Sequence, residues 1–130
     1  MKTTTCLQYV INGMGQKLLD FAKSDAGRPL VYAFKNLIVG RDNQVKALIS
    51  ASNSYYMVQA VIQIQGLPKT PQSVFDFMKS SEFDKLDQEI VNTVEKNFAM
   101  LMSRLTKQQR KELESLFFQT KAPNWVLFVD

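Results

Sequence analysis

Residues 81–105 read SEFDKLDQEIVNTVEKNFAMLMSRL. Phe83, Leu86, Ile90, Val94, Phe98, Leu101 and Leu105 recur at steps of three and four, the spacing of one face of an α-helix. Glu82, Asp84, Asp87, Glu89, Lys96 and Asn97 mostly fall on other sides. Ser81 stands as a cap, with Glu82 and Asp84 in the first turn, where carboxylates complement the helix dipole. A helix this long with one apolar stripe points to an all-α fold.

The flanking sequence agrees. Downstream, Thr106 with Gln109 three residues on forms a capping box. It opens a last helix marked inwardly by Leu113, Leu116 and Phe117 and ended by Ala122-Pro123-Asn124. Upstream, Thr70-Pro71 starts a helix whose inner side is Val74, Phe75 and Met78. Gly66-Leu67-Pro68-Lys69 is a turn. Before it, Asp42 opens a longer helix through Val45, Leu48, Ile49, Tyr55, Val58, Val61 and Ile62. Val61-Ile62-Gln63-Ile64-Gln65 also alternates as a strand would, but it continues the helical face from Tyr55. Asp25-Ala26-Gly27-Arg28-Pro29 is a break. A short helix follows with Leu30, Phe34, Leu37 and Ile38, ended by Gly40.

The N-terminal stripe Leu7, Val10, Ile11, Met14, Leu18, Phe21 and Ala22 keeps helical phase across Asn12-Gly13-Met14-Gly15. It predicts one helix, although two interior glycines cost about 1 kcal/mol each and Asn-Gly favours a hairpin, with Leu7–Ile11 as a strand. The expected architecture is a compact bundle of five or six helices forming one domain over residues 1–130, its apolar C-terminal tail docked on the body or on a partner. Apolar residues make up 45% and charged residues 22% of the 130, a composition that supports a packed core.

The same composition narrows the chemistry. There is no histidine and one cysteine. That removes Ser–His and Cys–His nucleophile pairs, the commonest general base, and Cys₄ metal sites. Cys6 falls in an apolar repeat and reads as a small core residue. Gly13-Met14-Gly15-Gln16-Lys17 lacks the hydroxyl residue and spacing of a phosphate-binding loop. Asp84 and Asp87 lie one helical turn apart, as do acid–base or Mg²⁺ pairs, yet such pairs usually form a solvated face. The expectation is a protein that is not an enzyme and uses no cofactor or metal. No stretch approaches the roughly 20 apolar residues of a membrane span, no signal peptide is evident, and a lone cysteine fits the cytoplasm.

Binding is the remaining possibility. Residues 1–69 hold eight Lys or Arg against three Asp, residues 70–100 three Lys against six acids, and residues 101–130 five cations against three acids. Arg104, Lys107, Arg110 and Lys111 form a basic stripe that suits nucleic-acid phosphates, without aromatic interleaving for base stacking. Met100 and Met102 lie beside the core stripe, where methionine fills gaps or lines adaptable grooves. Tyr55 and Tyr56 point about 100° apart on a helix, so both rings can hardly enter one core site. The tail ends Trp125-Val126-Leu127-Phe128-Val129-Asp130. Burying each large side chain contributes about 1.5–3 kcal/mol, which narrowly exceeds the cost of ordering the segment. Trp125, Leu127 and Phe128, with Tyr55, Tyr56, Met100 and Met102, are therefore the candidate contacts to another protein or to a second copy of the chain.

Residues 55–97, YYMVQAVIQIQGLPKTPQSVFDFMKSSEFDKLDQEIVNTVEKN, resemble the helical part of tail assembly chaperones of tailed phages: an apolar helix, a Gly-centred turn and a second helix pair with a Leu-rich face. The usual strand-rich start of that family is absent here. The resemblance implies a non-enzymatic protein that binds an apolar, elongated partner during virion assembly.

Overall fold

A computed structural model of the chain describes residues 3–12, 14–35 and 41–119, with side chains for 7–12, 14–35 and 42–117. The described residues form seven helices and no strand: α1 Thr3–Asn12, α2 Gln16–Lys23, α3 Arg28–Lys35, α4 Arg41–Ile64, α5 Pro71–Met78, α6 Ser81–Ser103 and α7 Lys107–Gln119. The fold is all-α, as the stripes predict. Leu7–Ile11 and Val61–Ile64 are helical, so the strand alternatives fall away. The expected helix end at Gly40, with Leu37 and Ile38, and the tail from Thr120, including Trp125, Leu127 and Phe128, lie outside the described residues, as does the side chain of Cys6.

The expected count of five or six helices rises to seven because the N-terminal stripe is two helices rather than one. Gly15 takes φ 67° at the start of α2, a left-handed conformation that breaks helical hydrogen bonding and suits glycine. A Cβ there would meet the Gln109 side chain of α7 at 3.4 Å, an ordinary contact, so it is the backbone angle rather than space that asks for glycine. The apolar phase survives the turn because both helices face the same core.

Local signals explain most of the boundaries. The Thr70 side chain accepts from the Ser73 N–H at 3.1 Å, and Pro71 occupies the first turn of α5. The capping box at α7 is complete: the Gln109 N–H donates to Thr106 Oγ1 at 3.1 Å, and the Thr106 N–H donates to Gln109 Oε1 at 3.0 Å. Ser80 rather than Ser81 is the cap residue of α6, and its hydroxyl instead donates back to the Phe77 carbonyl at 2.6 Å, closing α5. α6 bends at Asn97, whose backbone leaves helical values (φ −118°, ψ 19°) while its amide donates to the Thr93 carbonyl at 2.9 Å.

The core is organised around α4. α1, α2, α3, α5 and α6 all pack on it, and α7 packs across α2 and α3. At its waist Ser52, Asn53, Ser54 and Tyr55 are all buried, so this one turn is enclosed on every side, which explains why the helix lacks a single clean stripe. One apolar cluster draws on every helix, including Val10, Leu18, Phe21, Val31, Leu48, Ile49, Val58, Val74, Ile90, Leu101 and Leu113. Among the described residues the hydroxyls of Ser52 and Ser54 find no hydrogen-bond partner, and Asn53 uses only its amide N–H, donating to the Ile49 carbonyl at 2.8 Å.

Candidate functional site

A cleft of about 510 Å³ lies over the first half of α4. Asn43, Lys46, Ala47, Ser50, Ala51 and Ser54 form its floor, all on one face of that helix. Leu30 and Phe34 of α3 stand on one side, and Asp87, Val91, Val94 and Glu95 of α6 on the other. Phe75 and Met78 of α5 complete the lining. The small floor residues recur at steps of three and four, so the helix backbone lies close to the opening. Val91 is 42% exposed although apolar, and Ser54, 1% exposed, keeps an unpartnered hydroxyl.

The charged groups of this cleft are unequal. Lys46 is bound to Glu95 at 3.0 Å and lies 5.0 Å over the Phe98 ring. Asp87 has no ion pair among the described residues, and its carboxyl is pushed above the usual aspartate value, first by burial and then by the charge of Asp84. Asp84 itself is exposed. The pair therefore splits into a solvated and a desolvated carboxylate. Among the described residues no three His, Cys, Asp or Glu side chains converge to hold a metal.

A second hollow of about 220 Å³ lies between α4, α6 and α7, lined by Val45, Met102, Leu113 and Phe117 with Asp42, Gln44, Arg110 and Glu114. Met102 is thus a groove residue packed against the core, whereas Met100 is 40% exposed on the other side of α6.

The two tyrosines diverge by about 100° on α4, Tyr55 buried and Tyr56 half-buried, and their rings still meet in one aromatic cluster. Phe21 reaches between them, 5.2 Å from Tyr55 and 6.3 Å from Tyr56, and the two tyrosine rings are 5.9 Å apart. Phe21 comes from α2, so a second helix supplies the ring that joins two neighbouring positions on α4. Tyr55 is buried and also meets Phe75 at 6.1 Å. The half-buried Tyr56 hydroxyl donates to the Lys17 carbonyl at 3.1 Å. Burial raises both phenols above their ordinary value; the charges of Asp20 and Tyr55 add to the effect at Tyr56.

Arg104, Lys107, Arg110 and Lys111 are all exposed at the α6–α7 corner. Arg110 donates from Nε and Nη2 to the Leu105 carbonyl at 3.3 Å, covering the end of α6. Glu112 dilutes the positive stripe, but Lys23 binds it at 3.1 Å.

The structure brings together what the sequence reading did not: Ala47, Ser50, Ala51 and Ser54 with Val91 and Asp87. The signal was present, in small residues at helical spacing and in an apolar Val91 off the α6 stripe. The neighbours that turn them into a cleft come from α3 and α5, separate helices whose placement beside α4 local periodicity does not report. Among the described residues no helix is long and apolar enough to cross a membrane. Compared with known proteins, the chain matches no family model, no curated protein and no solved structure.

Proposed function

We propose that the protein is a non-catalytic binding or assembly module that grips another polypeptide through the α3–α4–α5–α6 cleft. The observation that carries this reading is an open, mainly apolar cleft whose wall exposes Val91 and whose floor includes the small residues Ala47, Ser50, Ala51 and Ser54. Apolar clefts with a few polar groups are the common form of binding sites. The tail assembly chaperone resemblance is the particular form of this reading. Its segment, residues 55–97, corresponds to the second half of α4, α5 and most of α6, and it supplies Phe75, Met78, Asp87 and Val91 of the lining. The tail residues Trp125, Leu127 and Phe128 are a second candidate contact, toward a partner or a second copy.

The test is affinity capture with the wild-type chain beside a Val91→Glu variant of equal thermal stability. A polypeptide retained by the first and lost by the second is the expected result. Identical retention by both would sink the cleft as the binding element.

A second reading rests on the four exposed cations at the α6–α7 corner. If Arg104, Lys107, Arg110 and Lys111 contact nucleic-acid phosphates, retention on a polyanion column falls steeply with salt. Reversing Lys107 and Lys111 to Glu then abolishes it. Retention that survives the reversal removes this reading.

A further inference from the structure

The cleft has a length, a shape and an uncompensated charge. Its floor runs along α4 from Asn43 to Ser54, about 16 Å at the helical rise of 1.5 Å per residue, or three turns. α3 and α6 both pack on α4 without packing closely on each other, so they form two banks above the floor. Phe75 and Met78 contribute from α5. Ala47, Ser50, Ala51 and Ser54 permit close approach, and the distance between packed helices is set by the side chains at their contact.

The polar groups point to what is missing. Ser54 is 1% exposed with an unpartnered hydroxyl at the floor. Asp87 is half-buried in the α6 bank with no cation paired to it among the described residues. Lys46, the cation among the described lining residues, is engaged by Glu95 and Phe98. A partly desolvated carboxylate without a counter-charge is less stable than one in water, and a cation brought to it is stabilising.

We infer that the cleft seats an amphipathic helix of another polypeptide, about three turns long, whose apolar face carries one Lys or Arg that pairs with Asp87. The inference rests on the protein-binding reading and gives the partner its chemistry. A strand is a poorer occupant, since the described residues offer no sheet edge to pair with it. The chain's own segment 120–130 is poorer too. Its one cation, Lys121, is separated from its apolar run by Pro123, which starts a helix but does not sit inside one.

The experiment uses a displayed library of helical peptides of about 12 residues with a randomised apolar face. It is panned on the full chain and counter-selected on Val91→Glu, with circular dichroism and melting checked for each variant. The expected survivors carry a single Lys or Arg among apolar residues. A synthetic survivor gains helix on binding and binds Asp87→Asn about tenfold more weakly, the loss of one charge-assisted hydrogen bond. Survivors lacking a cation, or indifferent to Asp87→Asn, overturn the charge assignment and leave the protein-binding reading standing. Absence of any peptide that Val91→Glu blocks defeats both. Binding that appears only after residues 120–130 are removed assigns the cleft to the chain's own tail and overturns the inference.

Discussion

A Cβ on Gly27 would overlap the carbonyl oxygen of Phe21 and press on the Phe21 ring at 3.1 Å. The glycine is needed for close approach between the end of α2 and the start of α3, with its N–H received by the Ser24 hydroxyl at 3.0 Å. Because backbone cannot yield as a side-chain tip does, Gly27→Ala is expected to destabilise the fold by about 1–3 kcal/mol, measured by urea unfolding. Ser52 presents the opposite case. Its hydroxyl is buried without a partner, and leaving such a group unpaired costs about 1–3 kcal/mol. Ser52→Ala removes it and improves helix propensity, so a gain of about 1 kcal/mol is expected in the same assay. A loss would mean that the hydroxyl is satisfied in solution.

Among the helices, α7 depends most visibly on its cap. Its contacts run to α2 and α3, and its first turn is held by the reciprocal Thr106–Gln109 bonds. The Gln109 side chain borders the space beside Gly15 and α7 packs on α2, so the capping box adjoins the α1–α2 turn. Thr106→Ala should cost about 1 kcal/mol, and hydrogen exchange should quicken in the first turn of α7 and around Gly15 together. Quickening confined to α7 would show that the two are not coupled. Lys23 and Glu112 add an exposed link between α2 and α7, and hydrogen bonds from Lys23 and Gln108 hold the Glu112 carboxyl below its ordinary value. That contribution is present above the ordinary glutamate range and is lost as pH falls through the lowered value.

At the scale of the molecule, packing α3, α5 and α6 around α4 creates the cleft and desolvates Asp87 within it. The folded-state value of Asp87 lies above the ordinary 3.8, so the folded protein holds this proton more tightly than the unfolded chain. Its contribution to stability therefore falls as pH rises from about 3.8 through the raised value, and ionised Asp87 costs stability at neutral pH. Asp87→Asn should melt higher than the wild type at neutral pH, with the difference shrinking in acid. Thermal melts across that range test it; a variant that melts lower at neutral pH would show that the carboxylate is compensated.

The sequence by itself determined the all-α class, the starts of α5 and α7 and the inward face of α6, because caps and helical periodicity are local and depend on residues three or four apart. It also determined the absence of histidine chemistry. Tertiary structure alone decided where the N-terminal stripe breaks, since apolar phase continues through a left-handed Gly15. It also placed Tyr55 and Tyr56 around one Phe21 and joined Ala47, Ser50, Ala51, Ser54, Asp87 and Val91 in one cleft. Those outcomes depend on side chains that meet across long stretches of chain, and helical periodicity reports which face is apolar but not what covers it.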